Sequence, residues 1–126
     1  MCSPAHRILL GPYARKSYTS NRVTQKLHDA DLVFTAEGAI DFQTPLGKVP
    51  AEVAKRAKQF QLPVIALVGT VGKDAQINLE AGIDSFVCIL ETLCSLSDTI
   101  QNTPALLTMT AEQVMRLINI GRELKP

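Results

Sequence analysis

Behind Pro63 the chain reads Val64-Ile65-Ala66-Leu67-Val68, apolar at every position. Successive side chains of a strand point to opposite faces, so such a run has no face to give to water. It suits a central strand of a parallel sheet with helices over both sides. The expected fold class is therefore α/β, a small parallel sheet with flanking helices in flavodoxin- or Rossmann-like layers.

The neighbouring segments supply those layers. Residues 49–60 form an amphipathic helix, with Pro50 in the first turn, where a missing N–H has no helical partner to lose. Pro50, Val53, Ala54, Ala57 and Phe60 line one face, and Glu52, Lys55, Arg56 and Lys58 the other. A short helix capped by Ser20 or Asn21 buries Val23 and Leu27, and residues 32–35 are the first strand. Residues 74–81 read as a short helix closed by Gly82, and residues 85–90 as a third strand with Cys88 a small core residue. A short helix is expected near residues 97–100. The last helix starts at Thr110, where Thr110 and Gln113 have capping-box spacing, and Val114, Met115, Leu117 and Ile118 give it a wide apolar face.

Residues 1–20 hold Pro4, Gly11 and Pro12 without sustained periodicity and read as an irregular or mobile segment; residues 21–126 read as a single α/β domain. Three strands give a sheet with two edges and little core. Such a chain needs a partner or belongs to something larger, and a long apolar edge strand predicts self-association.

Charge and cysteine usage narrow the partners. A net charge of +1 gives no reason to expect nucleic acid or an anionic membrane. Cys2, Cys88 and Cys94 are odd in number and irregularly spaced, which argues against a disulfide framework or zinc site and for a reducing cytoplasm. No apolar run reaches the ~20 residues of a membrane span. Ile8-Leu9-Leu10 is too short for a signal-peptide core, so the expected location is cytoplasmic.

In open α/β sheets ligands bind beyond the carboxyl ends of the strands. Two polar loops leave such ends, residues 36–48 and 69–73, and both set glycines and a lysine beside a helix start. A lysine is misplaced at a helix N-terminus, which already carries partial positive charge. Either an anion shares the site with Lys48 and Lys73, or both side chains point into solvent. Neither loop is a Walker A motif, because Phe42 and Leu67 stand where the first glycine belongs. Glu37 and Asp41, facing inward, could hold Mg²⁺ or take a proton from an attacking hydroxyl. The structural alternative has Asp41 satisfying loop N–H groups while Glu37 pairs with Lys48. Gln43 and Thr44 either grip a hydroxyl or carboxylate, or cap the loop.

Four separated stretches resemble the bacterial-type glycerate kinases. Thr35-Ala36-Glu37-Gly38-Ala39-Ile40-Asp41-Phe42-Gln43-Thr44-Pro45-Leu46-Gly47-Lys48 is similar to that family's T-G-E-G-R-[IL]-D-x-Q-T-x-x-G-K. Pro63-Val64-Ile65-Ala66-Leu67-Val68-Gly69-Thr70-Val71-Gly72 resembles P-V-I-A-L-A-G-S-V-G, and Glu80-Ala81-Gly82-Ile83-Asp84-Ser85-Phe86 resembles E-A-G-I-D-A-V-F. Thr110-Ala111-Glu112-Gln113-Val114-Met115-Arg116-Leu117 resembles the closing T-A-E-N-x-x-R-L helix. The similarity runs from about Leu27 to Leu124 and covers the C-terminal part of such a kinase.

The resemblance implies phosphoryl transfer from ATP to glycerate with Mg²⁺, in a cleft between two α/β domains. It implies Glu37, Asp41 and Lys48 as catalytic residues. Gly38, Gln43, Thr44, Gly47, Gly69, Thr70, Gly72 and Lys73 become the substrate- or nucleotide-binding set, and the metal ligands are unassigned. Two departures stand out: the family's arginine is Ala39 here and its preceding glycine is Ala36. Alanine cannot replace a guanidinium's bidentate grip on carboxylate or phosphate. The family's N-terminal D-S-F-K-G-S-L-S and D-G-G-E-G-T elements have no counterpart before Asp29. The chain is then either a kinase module that works with a missing N-terminal half, or a truncated, non-catalytic α/β module that binds a small anion or a partner.

Overall fold

The apolar run forms strand β3 of a parallel sheet in the computed structural model, which describes residues 8–10, 21–90 and 96–125. The elements follow in the order β1 (Ile8–Leu10), α1 (Asn21–His28), β2 (Leu32–Ile40), α2 (Val49–Gln59), β3 (Val64–Val71), a 3-10 helix (Ala75–Leu79), β4 (Ser85–Cys88) and α3 (Leu96–Glu123). Spatial order equals chain order, β1-β2-β3-β4, and every pair is parallel, with Ile8 opposite Leu32, Val33 opposite Val64 and Ile65 opposite Ser85.

Right-handed crossovers between strands laid down in one direction place their connections on one face of the sheet. Leu27 of α1, Val53, Ala54 and Ala57 of α2 and Ala75 of the 3-10 helix accordingly pack with Val33, Val64, Ala66 and Val68. The opposite face, Leu32, Phe34 and Leu67, is covered by Leu107, Ala111, Val114, Met115 and Ile118 of α3. β3 is thus covered on both sides, as its unbroken apolar run requires.

Several expectations are corrected. The sheet has four described strands rather than three, because Ile8–Leu10 lies beside β2 inside the segment read as irregular; a triplet is too short to show alternation. The rest of that reading, the Ser20 cap, the Val23 side chain, Cys2 and Cys94 lie outside the described residues. β2 continues to Ile40, so Ala36 to Ala39 belong to the sheet and the site loop starts at Asp41. The helix expected over 74–81 is one 3-10 turn entered through Asp74 in the left-handed region, φ 54°. The two C-terminal helices are a single α3. Its inner face packs on the sheet without interruption from Leu107 to Ile118, so the Thr110–Gln113 spacing caps nothing, and Pro104 lies inside the helix. Cys88 is exposed at the end of β4, which lies at the edge of the described sheet, and its Sγ sits 3.4 Å from the Gly69 carbonyl oxygen.

The turn into β4 is fastened to the start of β3. The Asp84 carboxylate accepts the Val64 N–H at 2.7 Å and the Lys58 ammonium, which also donates to Leu62 O at 3.1 Å. Charge-assisted bonds at a half-exposed site carry modest weight. Asp84→Ala is expected to lower stability by about 1 kcal/mol, read as a fall in the urea midpoint at unchanged slope. Among the described residues, no helix is long and apolar enough to cross a membrane.

Candidate functional site

β2 and β3 end side by side, and the segments that leave them are joined through their main chains. Gly72 N–H donates to Ile40 O at 2.7 Å, and Phe42 N–H donates to Lys73 O at 3.0 Å. Glycines let the strands come this close. A Cβ on Gly69 would stand 2.7 Å from the Gly38 carbonyl oxygen, and one on Gly72 would stand 3.0 Å from the Asp41 Cβ. Gly69 and Gly72 therefore serve backbone approach in this structure. Val33 and Ile40 share the α2 side of the sheet although an odd number of positions separates them, so the alternation of β2 breaks between them, an interval that contains Gly38.

Asp41 organises the loop that follows. Its Oδ1 accepts the Gln43 N–H at 2.8 Å, and its own N–H donates to Thr44 Oγ1 at 3.0 Å. Thr44 N–H returns to Asp41 O at 3.2 Å, and Lys48 N–H to Thr44 O at 3.2 Å. Thr44 is completely buried, so its hydroxyl caps the loop from beneath and is not presented to a ligand. Gly47 turns the chain into α2 with φ at 96°, a conformation that side-chain-bearing residues rarely adopt.

Lys48 is the N-cap of α2 and makes no side-chain cap bond there. Serine, threonine or a carboxylate would serve the helix better at that position. Its ammonium instead lies 3.7 Å from Asp41 Oδ1, with the two side chains 40% and 25% exposed. The anion that Lys48 meets within the chain is thus Asp41, and both groups stay open to solvent. Glu37 is not Lys48's partner: it sits within β2 and accepts the neighbouring Gly38 N–H at 3.2 Å.

The remaining candidates surround this pair unevenly. Gln43 is exposed on the loop, and Gly38 is exposed with open space around its Cα. Thr70 donates its hydroxyl to Gly38 O at 3.4 Å. Lys73 is exposed, but a 3-10 turn of five residues follows it, so the argument from a helix N-terminus fails there. Among the described residues, no three His, Cys, Asp or Glu side chains converge in a way that could hold a metal ion. Ala39 pairs with Thr70 in the sheet and brings no cation where the family pattern has an arginine.

One residue of the site went unnoticed in the sequence. Asn78, fully buried, donates from Nδ2 to Asp41 O and to Ala75 O, both at 2.9 Å. Its three-residue spacing from buried Ala75 was the available signal. As a whole the arrangement offers an ammonium to hold an oxyanion, a carboxylate beside it to accept a proton, and an amide and a hydroxyl nearby.

Comparison with known proteins gives one consistent result. The sequence pattern of the glycerate kinase family matches residues 18–119. A glycerate kinase of Haemophilus influenzae is 38% identical over 117 residues, covering 88% of this chain and 31% of that protein. One from Halalkalibacterium halodurans is 42% identical over 86 residues, covering 68% of this chain and 23% of its own length. A crystal structure described as a glycerate kinase 2 from Salmonella typhimurium LT2 superposes with a TM-score of 0.59 at 36% identity, over 82% of this chain and 25% of that one. The chain therefore spans about a quarter to a third of the length of the relatives it matches. Its parallel layers, its joined loops and the family pattern over most of its length agree, and the chain belongs to the glycerate kinase family.

Proposed function

We propose that this chain forms one wall of a glycerate kinase cleft, in which Lys48 holds an anionic oxygen of glycerate or of the transferred phosphoryl group. The observation that carries the reading is the Asp41–Lys48 pair, partly exposed beyond the carboxyl end of β2 on the loop that matches the family motif. In the reaction a glycerate hydroxyl oxygen attacks the γ-phosphorus of ATP, the bond to the ADP oxygen breaks, and the hydroxyl proton passes to a carboxylate. Asp41 takes that role in this reading, supported by the Gln43 N–H and Lys48 at its Oδ1 and by the side chain's exposure to solvent. Gln43, Thr70 and Lys73 orient the remaining oxygens from the same end of the sheet, and Glu37 is the second carboxylate in reach of the reading. Mg²⁺ carried by the nucleotide phosphates would neutralise their charge, with Asp41 or Glu37 as the carboxylate that would hold it.

Phosphoryl transfer needs charges converging on the γ-phosphate from several sides. This chain supplies one side, and the remaining length of its relatives corresponds to the other. A cytoplasmic location, where ATP is supplied, accompanies this reading.

Calorimetric titration of the purified chain with D-glycerate tests it. The chain is expected to bind D-glycerate, and Lys48→Ala is expected to weaken binding about tenfold through loss of one charge-assisted contact. Turnover with ATP and Mg²⁺ is expected once the other part of the fold is supplied. A folded chain that binds neither D-glycerate nor ATP overturns the proposal.

A further inference from the structure

We propose that Asn78 is a positioning residue: it fixes the main chain at Asp41 and thereby sets where the Asp41 carboxylate meets the Lys48 ammonium. The inference rests on the reading of Asp41 and Lys48 as the ligand-facing pair.

A peptide unit is planar, so pinning both of its ends fixes its orientation. The unit between Asp41 and Phe42 is pinned in this way. Its carbonyl accepts from Asn78 Nδ2 at 2.9 Å, and its N–H donates to Lys73 O at 3.0 Å. The preceding unit is held as well, Ile40 O by Gly72 N–H and Asp41 N–H by Thr44 Oγ1, and with both units set the direction in which the Asp41 side chain leaves the backbone is set too. The bond from Oδ1 to Gln43 N–H then fixes the carboxylate itself. Asn78 reaches this carbonyl across 37 residues of sequence, and its second bond, to Ala75 O, holds the amide in place.

The burial of Asn78 argues that these two bonds are its purpose. The residue is fully enclosed, and its Oδ1 has no hydrogen-bond partner. A buried orphan acceptor is unfavourable, and an apolar side chain of similar size would fill the space without it. Leucine would remove the orphan acceptor but forfeit both bonds to the Asp41 and Ala75 carbonyls. Loop geometry favours an amide whose two N–H groups grip two carbonyls.

Residue-resolved amide hydrogen exchange on Asn78→Leu, with Asn78→Ser as a second variant, is the test. The amides of Phe42, Gln43 and Thr44 are expected to exchange roughly tenfold faster, while Val33 and Ala66 in the sheet keep their protection. In D-glycerate titrations Asn78→Leu is expected to weaken binding about fivefold, with no further loss when Lys48→Ala is already present, because both act on one unit. Equal acceleration in loop and sheet, an unchanged loop, or failure of both variants to fold overturns the proposal. Absence of D-glycerate binding by the unaltered chain would instead count against the functional reading, and hydrogen exchange would still decide the role of Asn78.

Discussion

Gly69→Ala is expected to cost about 2 kcal/mol or more of folding stability, whereas Gly38→Ala is expected to stay within about 1 kcal/mol of the unaltered chain. The two glycines sit near each other on adjacent strands, yet their surroundings differ. A Cβ at position 69 would lie 2.7 Å from the Gly38 carbonyl oxygen, whereas one at position 38 would meet nothing within 4 Å. The obstructing atom is main chain in a neighbouring strand, so it cannot swing aside as a side chain would. Relief requires parting β2 from β3 where their ends hold the site loops together through Gly72 N–H and Ile40 O. The effect of Gly69→Ala should therefore reach the Asp41 loop as well as global stability. Urea unfolding of the two variants checks the contrast. Equal stability loss at both positions, or a larger loss at position 38, would show that the close approach does not constrain the sheet.

The same glycines show where sequence reading reached and where it stopped. The run from Val64 to Val68 announced a doubly covered parallel strand because burial on two faces leaves its mark at every position. Leu27, Val53, Ala54 and Ala57 likewise declared their faces through helical spacing, and all are buried where expected. The site loop was visible as chemistry, but its internal wiring was not. Thr44 and Gln43 look alike as polar loop residues, yet one is sealed beneath the loop and the other faces water. Lys48 was legible as a cation out of place at a helix start. That its counter-charge is Asp41 rather than Glu37 depends on β2 continuing to Ile40, which is decided by pairing with β3 and not by local composition. The capping-box spacing at Thr110 misled because four residues of local preference are outweighed by an apolar face that packs continuously on the sheet. Asn78 acts across 37 residues, beyond the reach of any local pattern.

Leu117→Lys combined with Ile120→Lys is expected to weaken self-association of the isolated chain on the order of a hundredfold while leaving its thermal midpoint nearly unchanged. α3 carries more apolar surface than the sheet can cover. Its inner face is taken by Leu107, Ala111, Val114, Met115 and Ile118. A second stripe at three- and four-residue spacing, Leu117 and Ile120 with Leu124 just past the helix end, stays 67%, 55% and 70% exposed. Away from this stripe, Glu112 and Arg116 pair along the helix at 2.8 Å. An exposed apolar stripe of this kind is expected to seek a second cover. In relatives about three times as long there is ample further chain to supply that second cover. In the isolated chain, copies of itself are expected to meet the same need, because their identical stripes offer matching apolar surface. Two lysines on the stripe place like charges across any such contact and leave the inner face untouched, which is why association should fall and stability should not. Sedimentation velocity across a wide concentration range distinguishes the outcomes. A chain that stays monomeric at every concentration would show that the outer stripe has no affinity for itself. Association unaltered in the double variant would place the contact at the edges of the described sheet, β1 or β4, rather than on α3.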